Sequence, residues 1–246
     1  MNKRFENPFD IAKSRTYLDI GFRDYIAARV LINNGILLQG AILASTSIEK
    51  YIKAILMLNK IASHKHLNMD LCGKLKNFDQ ALYSALNESF LEMLIRCYKL
   101  RYIDDAPDHF SIVLIQFPLL AELDYTISKI EEKIHIYQDG KKLVLSYRQM
   151  WNNKNPEFTT NNYVYLGISK NSFIETQESK VYCMRLDPNF GFPRSNIETY
   201  YTAERQPHDG NFSRDFVISD YPTENNPKAG FVLPYKAKII NNPAQF

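Results

Sequence analysis

Ala41-Ile42-Leu43-Ala44-Ser45-Thr46-Ser47-Ile48-Glu49-Lys50-Tyr51-Ile52-Lys53-Ala54-Ile55 decides the reading of the first half of the chain. Ala41, Ala44, Ile48, Ile52 and Ile55 recur at the spacing of one helical stripe. The stretch is read as the centre of a helix from about Leu37 to Lys60. Glu49 and Lys53 lie four residues apart on another face, in the order that favours an ion pair. Upstream, Leu18, Phe22, Tyr25 and Ile26 give a helix from about Ser14 to Asn34, stopped by Asn34-Gly35. Downstream, Leu82, Leu86, Phe90, Leu94 and Tyr98 give a third from Asn77 to about Arg101. A fourth runs from near Asp108 to Ile136, through Leu119, Leu123, Ile127 and Ile130. Pro118 lies inside it and predicts a kink or a late start. Four such segments predict an antiparallel four-helix bundle over residues 14–136.

The pattern changes near Gly140. Eight of the eleven prolines follow it, and apolar residues then come in short aromatic or β-branched runs. Predicted strands are Leu143–Tyr147, Tyr163–Ile168, Lys180–Leu186, Glu198–Tyr201, Phe216–Ser219 and Tyr235–Ile240. The expected fold class is therefore α+β. Residues 1–140 would form the helical bundle and residues 141–246 a mostly antiparallel β domain.

Composition narrows the function classes. The 246 residues are 45% hydrophobic and 23% charged, which fits a globular chain and not a disordered one. Net charge is +3, too little by itself to imply a nucleic-acid or membrane partner. No run of about 18 apolar residues marks a membrane span. Cys72, Cys97 and Cys183 are odd in number and far apart. They fit buried thiols in a reducing, cytoplasmic setting better than disulfides or a metal site. His64-x-His66, near Asp70 and Cys72, holds metal-ligand residue types without the second half of a site. It reads as an interhelical loop, and no metal or cofactor is expected. Gly35-x4-Gly40 is followed by Ala41-Ile42 where a phosphate-binding loop needs Lys and Ser or Thr.

Several pieces stand in a telling order: Ala28-Arg29-Val30-Leu31 with Gly35, Ile48-Glu49-Lys50-Tyr51-Ile52-Lys53-Ala54, His66-Leu67, and Tyr98-Lys99-Leu100-Arg101-Tyr102. This series resembles the HEPN domain, a module of four or five helices, over about residues 14–136. The resemblance implies one of two lives. Many HEPN proteins resemble metal-independent ribonucleases, with an arginine and a following histidine brought together in a dimer cleft. Others look like binding or scaffolding modules, or partners of small nucleotidyltransferases.

The nearest match to the catalytic pair is Arg101 and His109. Histidine can deprotonate a ribose 2′-OH, and arginine's fork can hold the charged phosphorane. Here seven residues separate the two, Pro107 interrupts any shared helix, and Asp104, Asp105 and Asp108 put negative charge between them. The spacing therefore favours binding over cleavage. Glu49, Lys53 and Tyr102 are further ligand-binding candidates. In the second half, Arg185, Arg194, Arg205 and Arg214 are interleaved with aromatics, a pattern that can hold phosphates and stack bases. Arg185 and Arg194 are its leading members. Three readings follow. One is a binding module for nucleotide or RNA in a defence or toxin–antitoxin setting, dimeric through its bundle. The second is a ribonuclease using Arg101 and His109. The third is a structural protein–protein interaction module.

Overall fold

A computed structural model describes residues 8–63, 65–102, 111–138, 141–187, 195–203, 210–212 and 237–238. Helix α1 (Pro8–Asn33) and helix α2 (Leu37–Leu58) form a hairpin. Its turn closes as the Asn34-Gly35 pair predicts. Gly35 N–H donates to Ile32 O and Ile36 N–H to Leu31 O, and Gly35 has φ +83. Small residues bring the two helices close. The Ser47 hydroxyl donates to Gly21 O at 2.7 Å, and a Cβ on Gly40 would sit 2.6 Å from Ile32 Cγ1.

A short helix α3 (Met69–Phe78) follows the loop after α2, and the expected third helix, Asn77 to about Arg101, is two: α4 (Gln80–Ala85) and α5 (Glu88–Lys99) replace one long rod. Asp79 accepts from Leu82 N–H and Asn87 from Phe90 N–H. Each polar side chain starts a new helix by satisfying amides that a continuous helix would have bonded itself. The fourth segment starts late. Ser111–Ile115 is strand β1, and helix α6 (Gln116–Lys133) follows at once. Pro118 thus falls in the first turn of α6, where its missing N–H costs nothing. The predicted start near Asp108 lies outside the described residues. The helical unit is therefore not a plain four-helix bundle. Its core is the predicted one: Leu18, Phe22, Ile48, Ile52, Ile55, Leu86, Phe90, Leu94, Leu123 and Ile127 are all buried.

Beyond Lys133 the strand predictions hold only in part. Strands β2 (Tyr137–Gln138) and β3 (Lys141–Lys142) form a small antiparallel ladder. Neither predicted strand Leu143–Tyr147 nor Tyr163–Ile168 forms: the first is irregular until a helix starts at Ser146, and Tyr163–Leu166 of the second is helical. The chain forms α7 (Ser146–Asn152), α8 (Pro156–Thr159), α9 (Tyr163–Leu166) and α10 (Lys170–Glu175). Capping explains the change at α9: Asn162 accepts from Tyr165 N–H, and Gly167 closes the turn at φ +68. Strands β4 (Ser179–Asp187) and β5 (Ser195–Ala203) cover the predictions Lys180–Leu186 and Glu198–Tyr201, and β6 (Ala237–Lys238) falls within Tyr235–Ile240, the rest of which lies outside the described residues. The predicted strand Phe216–Ser219 lies outside the described residues. The sheet runs β1-β4-β5-β6, every neighbouring pair antiparallel.

This sheet takes β1 from before Gly140 and β4 to β6 from after it. Lys180 joins the halves again: its N–H donates to Gln116 Oε1, while Gln116 Nε2 donates to Ile32 O and Asn33 O. The aromatic rings of Tyr147 and Phe158 pack on Tyr25 of α1, and Tyr147 also meets Phe22. Among the described residues, no helix is long and apolar enough to cross a membrane.

Candidate functional site

Three distant pieces of sequence meet around Glu49. The carboxylate projects from α2, one residue beyond the apolar stripe, and is 7% exposed. Its Oε1 accepts from Lys53 Nζ at 2.7 Å. Its Oε2 accepts from Leu67 N–H at 3.1 Å and stands 3.3 Å from His66 Nδ1. The ion pair expected from the spacing forms, and it is covered by the loop that follows α2. That loop carries polar groups which the carboxylate satisfies, so burial of the charge is compensated. An exposed Lys65–Asp70 ion pair ties the same loop to α3, and the lysine holds the Asp70 carboxyl below the usual range.

The end of α5 supplies the rest. Leu100, Arg101 and Tyr102 continue its winding, with Arg101 N–H donating to Tyr98 O and Tyr102 N–H to Lys99 O. Residues three apart on a helix are neighbours, and the Arg101 guanidinium carbon lies 3.9 Å from the centre of the Tyr98 ring. It also lies 5.3 Å from that of Tyr102. The cation is thus held against two aromatic faces. The Tyr98 hydroxyl is 2.8 Å from His66 Nδ1, and the two rings are 5.1 Å apart. Burial pushes the Tyr98 phenol up, against the pull of Arg101, so it keeps its proton at neutral pH.

The result is a row on the surface: Lys53, Glu49, His66, Tyr98, Arg101 and Tyr102. Its inner end is neutralised and covered. Its outer end is open: the His66 side chain is 65% exposed and Tyr102 is 62% exposed. Among the described residues, Arg101 makes ring contacts and no ion pair. A planar cation, an imidazole and a free aromatic face are the groups that hold a phosphate and stack a base.

Of the predicted residues, Glu49, Lys53, Arg101 and Tyr102 come together here. His109 and Arg194 lie outside the described residues. Arg185 sits on β4, opposite Ser111 of β1, and its side chain is likewise outside them. The sequence places His66 in an interhelical loop and does not single out Tyr98 as a site residue. The signal for both was present: each belongs to a piece of the ordered series, and only the series as a set suggests that its members touch. The arginine of the first piece, Arg29, lies elsewhere. It is fully buried, paired with Asp124, and donates to the carbonyls of Glu157 and Thr160.

Residues 14–133 match the model of the HEPN domain, and the family match ends there. No curated protein and no solved structure matches the chain. The matched segment holds α2, the loop with His66 and the end of α5, and over residues 14–133 the chain is similar to HEPN domains.

Proposed function

We propose that this chain is a HEPN-type binding protein that takes a nucleotide or RNA at the outer end of the row and does not cleave it. One observation carries the reading: the Arg101 guanidinium is set against the faces of Tyr98 and Tyr102. A guanidinium held against rings by its carbon still has the N–H donors of its fork, from which a phosphate can accept two hydrogen bonds. The absence of cleavage rests on sequence. The seven-residue gap to His109, with Pro107 and three aspartates in it, does not lock base and cation onto one phosphate. A defence or toxin–antitoxin role, a homodimer through the helical unit and a nucleotidyltransferase-type partner all fit this reading.

The test uses the full chain with a fluorescein-labelled RNA oligonucleotide in EDTA. Anisotropy should rise on addition of protein and fall steeply with salt. Arg101→Ala should weaken binding by about tenfold or more, the worth of a charge-assisted hydrogen-bond pair. The RNA should remain intact. Metal-free cleavage leaving 2′,3′-cyclic phosphate ends, and lost in the Arg101→Ala/His109→Ala double variant, would replace this reading with the ribonuclease. Sedimentation of the free chain tests the dimer, and a monomer at micromolar concentration removes that part.

A further inference from the structure

We infer that His66, and not His109, is the histidine that works with Arg101, and that the ligand they share is single-stranded RNA. The inference rests on the reading of Arg101 as a phosphate-binding residue and adds the second donor and the kind of nucleic acid. His66 touches the same Tyr98 ring as Arg101. The histidine is hydrogen-bonded through Nδ1 to the hydroxyl, and the guanidinium lies over the face. The loop does not need the imidazole to hold it. Leu67 N–H already binds Glu49, and Lys65 already binds Asp70. Yet the ring is oriented from two sides, by Glu49 at 3.3 Å and Tyr98 at 2.8 Å, both at Nδ1. The opposite edge, with Nε2, belongs to a side chain that is 65% exposed.

Two arrangements of these partners make Nε2 a donor. In the neutral ring, the Tyr98 hydroxyl donates to Nδ1 and the hydrogen sits on Nε2. In the imidazolium both nitrogens carry hydrogen, and Glu49 accepts from Nδ1. The proposed site uses Nε2–H as the donor in either arrangement. Glu49 and Tyr98 are positioning residues that aim it. Arg101 and His66 then give two donors to one phosphate, and the exposed ring of Tyr102 beside Arg101 gives a surface for the adjoining base. A base in a duplex is already stacked and paired and cannot reach such a ring, so the site suits an unpaired strand.

The experiment measures anisotropy with a labelled single-stranded oligouridine and with the same label in an RNA duplex. Wild type should prefer the single strand by at least about fivefold. His66→Ala should weaken binding by roughly tenfold, and His66→Gln, which keeps an N–H donor, should recover most of the loss. His109→Ala should cost less than His66→Ala, and His135→Ala, far along the chain, should change nothing. Circular dichroism checks that the variants fold. In parallel, inorganic phosphate is added to chain labelled with 15N at histidine, and the His66 Nε2 signal should move. Loss of binding in Arg101→Ala with none in His66→Ala would remove His66 and leave the Arg101 reading standing. A larger loss in His109→Ala would return the role to that residue. Preference for the duplex would overturn the single-strand assignment. If wild type binds no RNA but phosphate still moves His66 Nε2, the RNA reading falls and the two-donor site stands. Neither binding nor a shift would overturn both.

Discussion

Arg29 shows how a single residue can hold distant parts of the chain together. Its guanidinium and Asp124 are both wholly buried, and Tyr25 donates to the same carboxylate oxygen at 2.8 Å. Two further donors reach the carbonyls of Glu157 and Thr160. Removing one member of a buried pair leaves the other charged and unpaired. Arg29→Ala should therefore cost about 3–5 kcal/mol in urea denaturation. Arg29→Met with Asp124→Leu should recover a large part of that, because no charge is then stranded. Glu131 offers a test with the opposite sign. Burial pushes its carboxyl up to about 7, against the hydrogen bond from Tyr51 and the nearby Arg148. The folded state then holds a proton that the unfolded chain releases near pH 4.5. Stability from this group is present at low pH and falls as pH rises from about 4.5 through 7. Glu131→Gln should flatten that dependence and raise stability at pH 8 by about 1–3 kcal/mol, read by thermal melts across pH.

At the scale of elements, the hairpin of α1 and α2 depends on one left-handed residue. Gly35 has φ +83, and a Cβ there would fall 2.4 Å from Lys180 Cδ. The lysine donates to Asn34 O at the end of α1, so the same crowding couples the hairpin to the sheet. Gly35→Ala should cost at least about 1–2 kcal/mol from backbone strain alone. Gly35→Ala with Lys180→Ala should relieve the steric part and leave the strain, a difference that paired urea titrations resolve. The breaks at Asp79 and Asn87 act in the other direction. Each ends one helix and starts another, and the second break turns α5 so that its last turn meets the loop after α2.

For the whole molecule, the change of pattern at Gly140 is not a limit of packing. Tyr147 and Phe158 cover Phe22 and Tyr25, the carbonyls of α8 and its following turn satisfy Arg29, and β4 pairs with β1. The segment Gly210–Phe212 also docks on α5. Asn87 and Ser89 donate to Gly210 O, Phe212 N–H donates to Ser89 Oγ, and the Phe212 ring meets Phe90. The sequence led to the expectation that residues 1–140 fold alone. These contacts predict instead that a chain ending at Gly140 loses its cooperative melt, because it strands Arg29 and leaves β1 unpaired. A sharp, native-like transition in that shortened chain would restore the boundary. Long periodic segments were legible because an amphipathic helix writes its own face into the sequence. The short helices after Gly140 were not. Tyr163–Leu166 reads equally well as a strand, and four residues carry too few repeats to separate period 2 from period 3.6.

What the sequence by itself determined is the helical character of the first half, its buried stripes, the turn at Gly35 and the likeness of residues 14–133 to HEPN domains. All of these are local or repeat along the chain, so spacing alone records them. Only the tertiary structure decided that Glu49 is covered, that His66 and Tyr98 join Arg101 in one row, and that the sheet and short helices complete the helical core. Those facts depend on which segments lie side by side. Packing sets that by enclosing apolar surface and pairing every buried polar group, and neither condition can be read from residues apart from their neighbours.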